Sequence, residues 1–148
     1  MTTAHEPAYE PAHTDGFAGL AEYVRAFEAE GYRVDQVVQP VCGECGHRAF
    51  EVRLDDDEGV VRRTCARCRT SAYIADGADY LDEAELYMCE CPGCGEAEFE
   101  IAVGFSLHPD REVRWISIGL RCTTDGLTGV YADWKINYGP SAHLPETC

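Results

Sequence analysis

The chain of 148 residues is long enough for one ordinary domain or two very small ones. Its 45% hydrophobic and 26% charged residues exclude a disordered chain, and no apolar run approaches the length needed to cross a bilayer. A formal net charge of −15 repels nucleic acid and anionic membrane at long range, which leaves solubility or a basic partner as its uses.

Residues 1–14 are expected to form a flexible tail. They carry Pro7, Pro11, His5 and His13 but no basic start, apolar stretch or cleavage site of a signal peptide. Thr14 and Asp15 offer an N-cap, and Phe17, Leu20, Val24 and Phe27 follow at helical spacing up to Gly31. This predicts an amphipathic helix over 15–30, with Val34, Val37 and Val38 as an extended lead-in that closes the segment 15–39.

An internal repeat follows. Cys42, Cys45, Gly46, Phe50 and Glu51 recur as Cys91, Cys94, Gly95, Phe99 and Glu100, each offset by 49, with Val52 replaced by Ile101. More loosely, Cys65-Ala-Arg-Cys68 aligns with Cys122-Thr-Thr-Asp125. Repetition on this scale means one structural unit used twice, over residues 40–76 and 89–139. Between the cysteine pairs of each copy the pattern is strand, turn, strand. Asp55 to Gly59 makes one hairpin tip and His108 to Arg111 the other. In the second copy Phe99, Ile101, Val103 and Phe105 alternate with Glu100, Ala102 and Gly104. Further on, Val130, Ala132, Trp134 and Ile136 alternate with Tyr131, Asp133 and Lys135, the mark of strands with one buried face. Residues 77–88 read as a linker or short helix, and 140–148 as a loose C-terminal tail.

There are nine cysteines. The odd number, the absence of a secretion signal and the Cys-x-x-Cys pairs argue for metal over a disulfide framework. They also argue for a reducing compartment, the cytoplasm. In the first copy Cys42, Cys45, Cys65 and Cys68 form two pairs separated by 19 residues. Each pair suits a tight turn, and a hairpin that brings the turns together offers four thiolates tetrahedrally to one ion, a closed structural site. The chain here resembles the zinc-ribbon superfamily, strongly over 40–76 and more weakly over 88–139. The resemblance implies a mostly β fold behind the N-terminal helix: two tandem zinc ribbons, each a three-stranded antiparallel sheet with two metal knuckles, and two Zn2+ ions. A rubredoxin-like iron site is the chemical alternative, but that family's aromatic and proline context is missing around Cys65 and Cys68.

The second copy keeps Cys91, Cys94 and Cys122 and has Asp125 where a fourth cysteine is expected. Asp125 can supply a carboxylate oxygen, Cys89 can swing in as the alternative fourth ligand, or a water can complete an open, catalytic zinc. A copy that has lost its metal is a further possibility. No deaminase, metalloprotease or phosphate-loop motif is present.

Three functional classes follow. The first is a non-enzymatic protein-interaction or adaptor module, immunity- or accessory-factor-like, masking a basic protein partner. The second is a nucleic-acid-binding ribbon that uses Arg62, Arg63, Arg67 and Arg69 near the second knuckle. Residues 40–76 hold six of the 12 basic residues and are near neutral. The third is an enzyme with an open second zinc. Nucleic acid ranks below a protein partner because binders usually present a strongly basic face.

Overall fold

The structure is a computed structural model and describes residues 11–28 and 31–148. The strands are β1 (Ala12–His13), β2 (Gln36–Val38), β3 (Phe50–Asp55), β4 (Val60–Cys65), β5 (Ser71–Tyr73), β6 (Tyr87–Met88), β7 (Phe99–Leu107), β8 (Val113–Cys122) and β9 (Leu127–Lys135). Among the described residues one α-helix, α1 (Gly16–Ala26), precedes most of them, and Gly77–Glu83 and Leu144–Thr147 form short 3-10 segments. The protein is thus mostly β with an N-terminal helix. Instead of two separate three-stranded sheets, however, all nine strands belong to one antiparallel sheet, in the order β1-β9-β8-β7-β3-β4-β5. β2 pairs with β7 and β6 pairs with β3 at the flanks.

In the sheet ladder the two copies pair at one residue each. Phe50 of β3 pairs with Phe99 of β7, the equivalent position of the repeat. Because the strands are antiparallel, the copies extend in opposite directions from this seam. Pairing continues outward from Phe50 to Cys65 and from Phe99 to Cys122. One row of the sheet therefore reads Cys65, Phe50, Phe99, Cys122, with all four side chains fully buried.

The sheet curls so that β9 meets the tip of the β3–β4 hairpin. The backbone N–H of Asp133 in β9 donates to Asp56 Oδ1 at the β3–β4 tip (3.0 Å), and Gly59 packs on the ring of Trp134. Inside the curl lies one apolar core that includes Phe50, Val52, Leu54 and Val61 from the first copy and Ile101, Val103, Phe105 and Ile118 from the second. The opposite face of β7 and β8 is covered by α1. Val24 sits over Gly104 and Gly119, where an added Cβ would fall 2.7 Å and 2.2 Å from its methyl groups. Glycine is required at these positions by space, not by backbone angle.

Several local expectations are corrected. The helix ends at Ala26, because Phe27 is already extended (φ −81°, ψ 120°). Residues 29–30 of its predicted span, like residues 1–10 of the predicted tail, lie outside the described residues. Neither Thr14 nor Asp15 caps the helix with its side chain: Asp15 makes no such bond, and the Thr14 hydroxyl is 2.7 Å from that of Thr128. Ala12 and His13 of the predicted tail pair with Thr128 and Leu127. A β-bulge between the Ile118–Ala132 and Gly119–Val130 pairs breaks the alternation of β9. It turns Tyr131 into the core against Phe99 (5.8 Å between ring centroids) and moves Val130 to the helix side. The segment after Pro140 is packed, not loose. Leu144 enters the core, and the fully buried Ser141 accepts from the Val113 N–H (2.8 Å) through its hydroxyl.

Candidate metal centres

Four tight turns carry the candidate ligands, and their backbones repeat bond for bond. Gly46 N–H donates to the Cys42 carbonyl (2.9 Å) and Gly95 N–H to Cys91 (2.8 Å). Arg69 N–H donates to Cys65 (3.0 Å) and Gly126 N–H to Cys122 (2.9 Å). The donors Gly46, Gly95, Arg69 and Gly126 all sit at positive φ, between 67° and 79°. This left-handed residue reverses the chain just after each ligand pair, and Arg69 is the one non-glycine that bears it.

These turns gather two groups of side chains, Cys42–Cys45–Cys65–Cys68 and Cys91–Cys94–Cys122–Asp125. Within each group the ligand atoms all lie within 4.8 Å of one another. In the first, Cys42 and Cys68 sulfurs are 3.5 Å apart, as are Cys45 and Cys65. In the second, Cys94 and Cys122 are 3.6 Å apart, and Cys91 Sγ is 3.4 Å from both Asp125 oxygens. A tetrahedron with Zn–S bonds of about 2.3 Å has S···S edges of about 3.8 Å, whereas a disulfide brings sulfurs to about 2.0 Å. The spacing fits a shared ion, and all nine cysteines are free of disulfides. Both groups could hold a metal ion, and their sulfur-rich donor sets suit zinc. Along the sheet row that joins Cys65 to Cys122, three strand steps of about 4.8 Å separate the two groups by about 14 Å.

The structure brings Asp125, not Cys89, to the fourth corner. Cys89 is a core residue outside the group, and burial pushes its thiol up to about 12. Gly93 makes room for the carboxylate: a Cβ there would lie 2.8 Å from Asp125 Oδ2. The other copy carries Glu44 at this position. The Leu127 N–H donates to Asp125 Oδ1 (3.0 Å) and holds the carboxyl below its ordinary range. The thiols differ in acidity. The Thr70 hydroxyl, 3.2 Å from Cys68 Sγ, and the Thr70 backbone lower Cys68 to about 6, while burial raises Cys91 to about 12. An ion would supply the charge that lets the remaining sulfurs ionise.

The four arginines singled out by sequence do not form one patch. Arg63 is turned inward over the Phe50 ring (4.9 Å to its centroid) and donates through Nε and Nη2 to the Cys148 backbone oxygen (3.1 and 2.9 Å). Arg62, its neighbour on β4, lies on the opposite face of the sheet, across from Arg53. Arg69 is 3.5 Å from Glu51, and Arg67 is exposed on the knuckle.

Sequence reasoning missed the other end of the molecule. There Asp57, Glu58, Asp76, Tyr80, Trp134 and Tyr138 line a cleft of about 210 Å3. The signal was not local, since Asp76 and Tyr138 are 62 positions apart. Among the described residues no helix is long and apolar enough to cross a membrane. No family model, no curated protein and no solved structure matches the chain.

Proposed function

We propose that this chain is a zinc protein made of two zinc ribbons fused through one sheet, and that it works by binding a basic protein partner and not by catalysis. Each donor set already has four protein ligands, so the ions serve the fold and leave no corner for substrate. The docking surface is the acidic, aromatic end of the molecule. Tyr80, Leu81 and Tyr138 are exposed there by 38–40%, and Asp57, Glu58, Asp79, Asp82 and Glu83 lie on the same two segments or beside them. The single observation that carries the reading is this cluster of exposed tyrosines ringed by carboxylates. Apolar surface framed mainly by one charge, here with Lys135 as a cation beside it, marks an interface, and the dominant charge sets the sign of the partner. The inward turn of Arg63 and the pairing of Arg69 with Glu51 weigh against a nucleic-acid face.

The test uses the zinc-loaded protein, with two zinc ions per chain expected by native mass spectrometry. Fluorescence anisotropy then compares a lysine- and arginine-rich peptide pool, an acidic pool and duplex DNA. Binding to the basic pool is expected to weaken with salt and with the triple variant Asp79→Asn, Asp82→Asn, Glu83→Gln. Tighter binding to DNA, or indifference to the triple variant, would overturn the proposal.

A further inference from the structure

The cleft at the acidic end holds a feature that a solubilising surface does not need. Asp76 is only 8% exposed, yet its Oδ1 is buried without a hydrogen-bond partner. Its other oxygen, Oδ2, accepts the Tyr138 hydroxyl. A buried carboxylate with an idle oxygen is costly to keep, and among the described residues no lysine or arginine lies within ion-pair distance of it. Tyr80, Trp134 and Tyr138 form aromatic walls, and Asp57 and Glu58 stand exposed at the rim. One cation, Lys135, also borders the cleft. It is exposed and pairs with none of the three carboxylates.

We propose that this cleft is a binding site for an organic cation, the ammonium or guanidinium end of one lysine or arginine side chain inserted by the basic partner. The inference rests on the partner reading above and names the group that the partner presents. Aromatic walls attract a cation through their ring quadrupoles, and the Asp76 carboxylate, which lines the same cleft, adds a fixed negative charge beside it. A volume of about 210 Å3 is below the roughly 300 Å3 at which pockets for whole small molecules begin, so the cleft suits a side-chain end. Both elements that build it are anchored. Gly59 packs on the Trp134 ring, and a Cβ at Gly77 would meet the Val61 backbone at 3.5 Å, which keeps the Asp76 turn against β4.

The experiment follows the Trp134 indole and the backbone amides of residues 76–80 and 134–138 by 1H–15N NMR in the zinc-loaded chain. The probes are capped pentapeptides that differ only at the centre (Lys, Arg or norleucine), and n-butylammonium chloride. Lysine and arginine peptides should shift these signals and the norleucine peptide should not. Asp76→Asn should weaken the peptides tenfold or more, with zinc content and far-UV circular dichroism unchanged. Tyr80→Ala, at an exposed position, should weaken them several-fold without touching the buried carboxylate. Butylammonium should bind at least tenfold more weakly than the lysine peptide; equal affinity would make the cleft a free-amine site and overturn the proposal. Peptides that bind but shift only the exposed 3-10 segment, with no effect of Asp76→Asn, would overturn this inference and leave the proposed function standing. Peptides that bind nowhere would overturn both.

Discussion

The two copies share four knuckles of matching geometry, yet they stand on different foundations. The first has strands of six, six and three residues, and one face, with Glu51, Arg53, Arg62 and Thr64, remains partly open to solvent. The second has strands of nine, ten and nine residues, with the shared core on one side and α1 on the other. With shorter strands and one poorly covered face, the first copy is expected to gain more of its stability from a bound metal. A sheet covered on both faces needs the metal less.

The largest test of this contrast is removal of the first metal. Cys42→Ser or Cys65→Ser forfeits a structural site worth on the order of 10 kcal/mol in isolated zinc peptides. Amides of β3–β5 are expected to lose hydrogen-exchange protection while those of β7 and β8 keep theirs. Equal loss in both halves would mean that the copies unfold as one body. The second metal gives a smaller effect on folding. Asp125→Ala should lower its affinity by at least the roughly 10- to 100-fold that loss of an outer-shell partner costs, and Asp125→Cys should slow its release to a chromogenic chelator. In both variants far-UV circular dichroism should stay near that of the parent.

Smaller still is the packing term on the second copy. Gly119→Ala drives a Cβ to 2.2 Å from Val24 Cγ2 and should cost about 1–3 kcal/mol, lowering Tm by several degrees in a thermal melt. The arginines sharpen the contrast at the low end. Arg63→Met loses its bonds to the Cys148 oxygen and should cost about 1–2 kcal/mol in urea titration. Arg69→Met gives up only an exposed pair with Glu51 and should stay within about 0.5 kcal/mol.

The candidate ligands were legible because a knuckle is a local object. Two cysteines three apart and a left-handed residue just beyond them define it without reference to the rest of the chain. The looser alignment of Cys65-x-x-Cys68 with Cys122-x-x-Asp125, offset by 57, then placed Asp125 opposite Cys68. Cys89 remained an alternative fourth ligand in sequence because spacing says nothing of where a strand carries its side chains. Its N–H bonds to the Val52 carbonyl (2.9 Å), and the thiol is committed to the core. The bulge at Tyr131 escaped for a similar reason: an inserted residue looks like ordinary alternation until its partner strand is known.

By itself the sequence determined the two groups of metal-ligand types, the helix ahead of the strands, the hairpins and the strong negative charge. All of these depend on neighbours within about one turn or one hairpin. Only the tertiary structure decided that the copies join through Phe50 and Phe99 in one curled sheet, that Arg63 faces inward, and that residues 141–148 pack against the core. It alone brought Asp76, Tyr138 and Trp134 into one cleft. Such contacts join residues tens of positions apart. They are selected by how two curved faces fit together, which no local pattern of residues encodes.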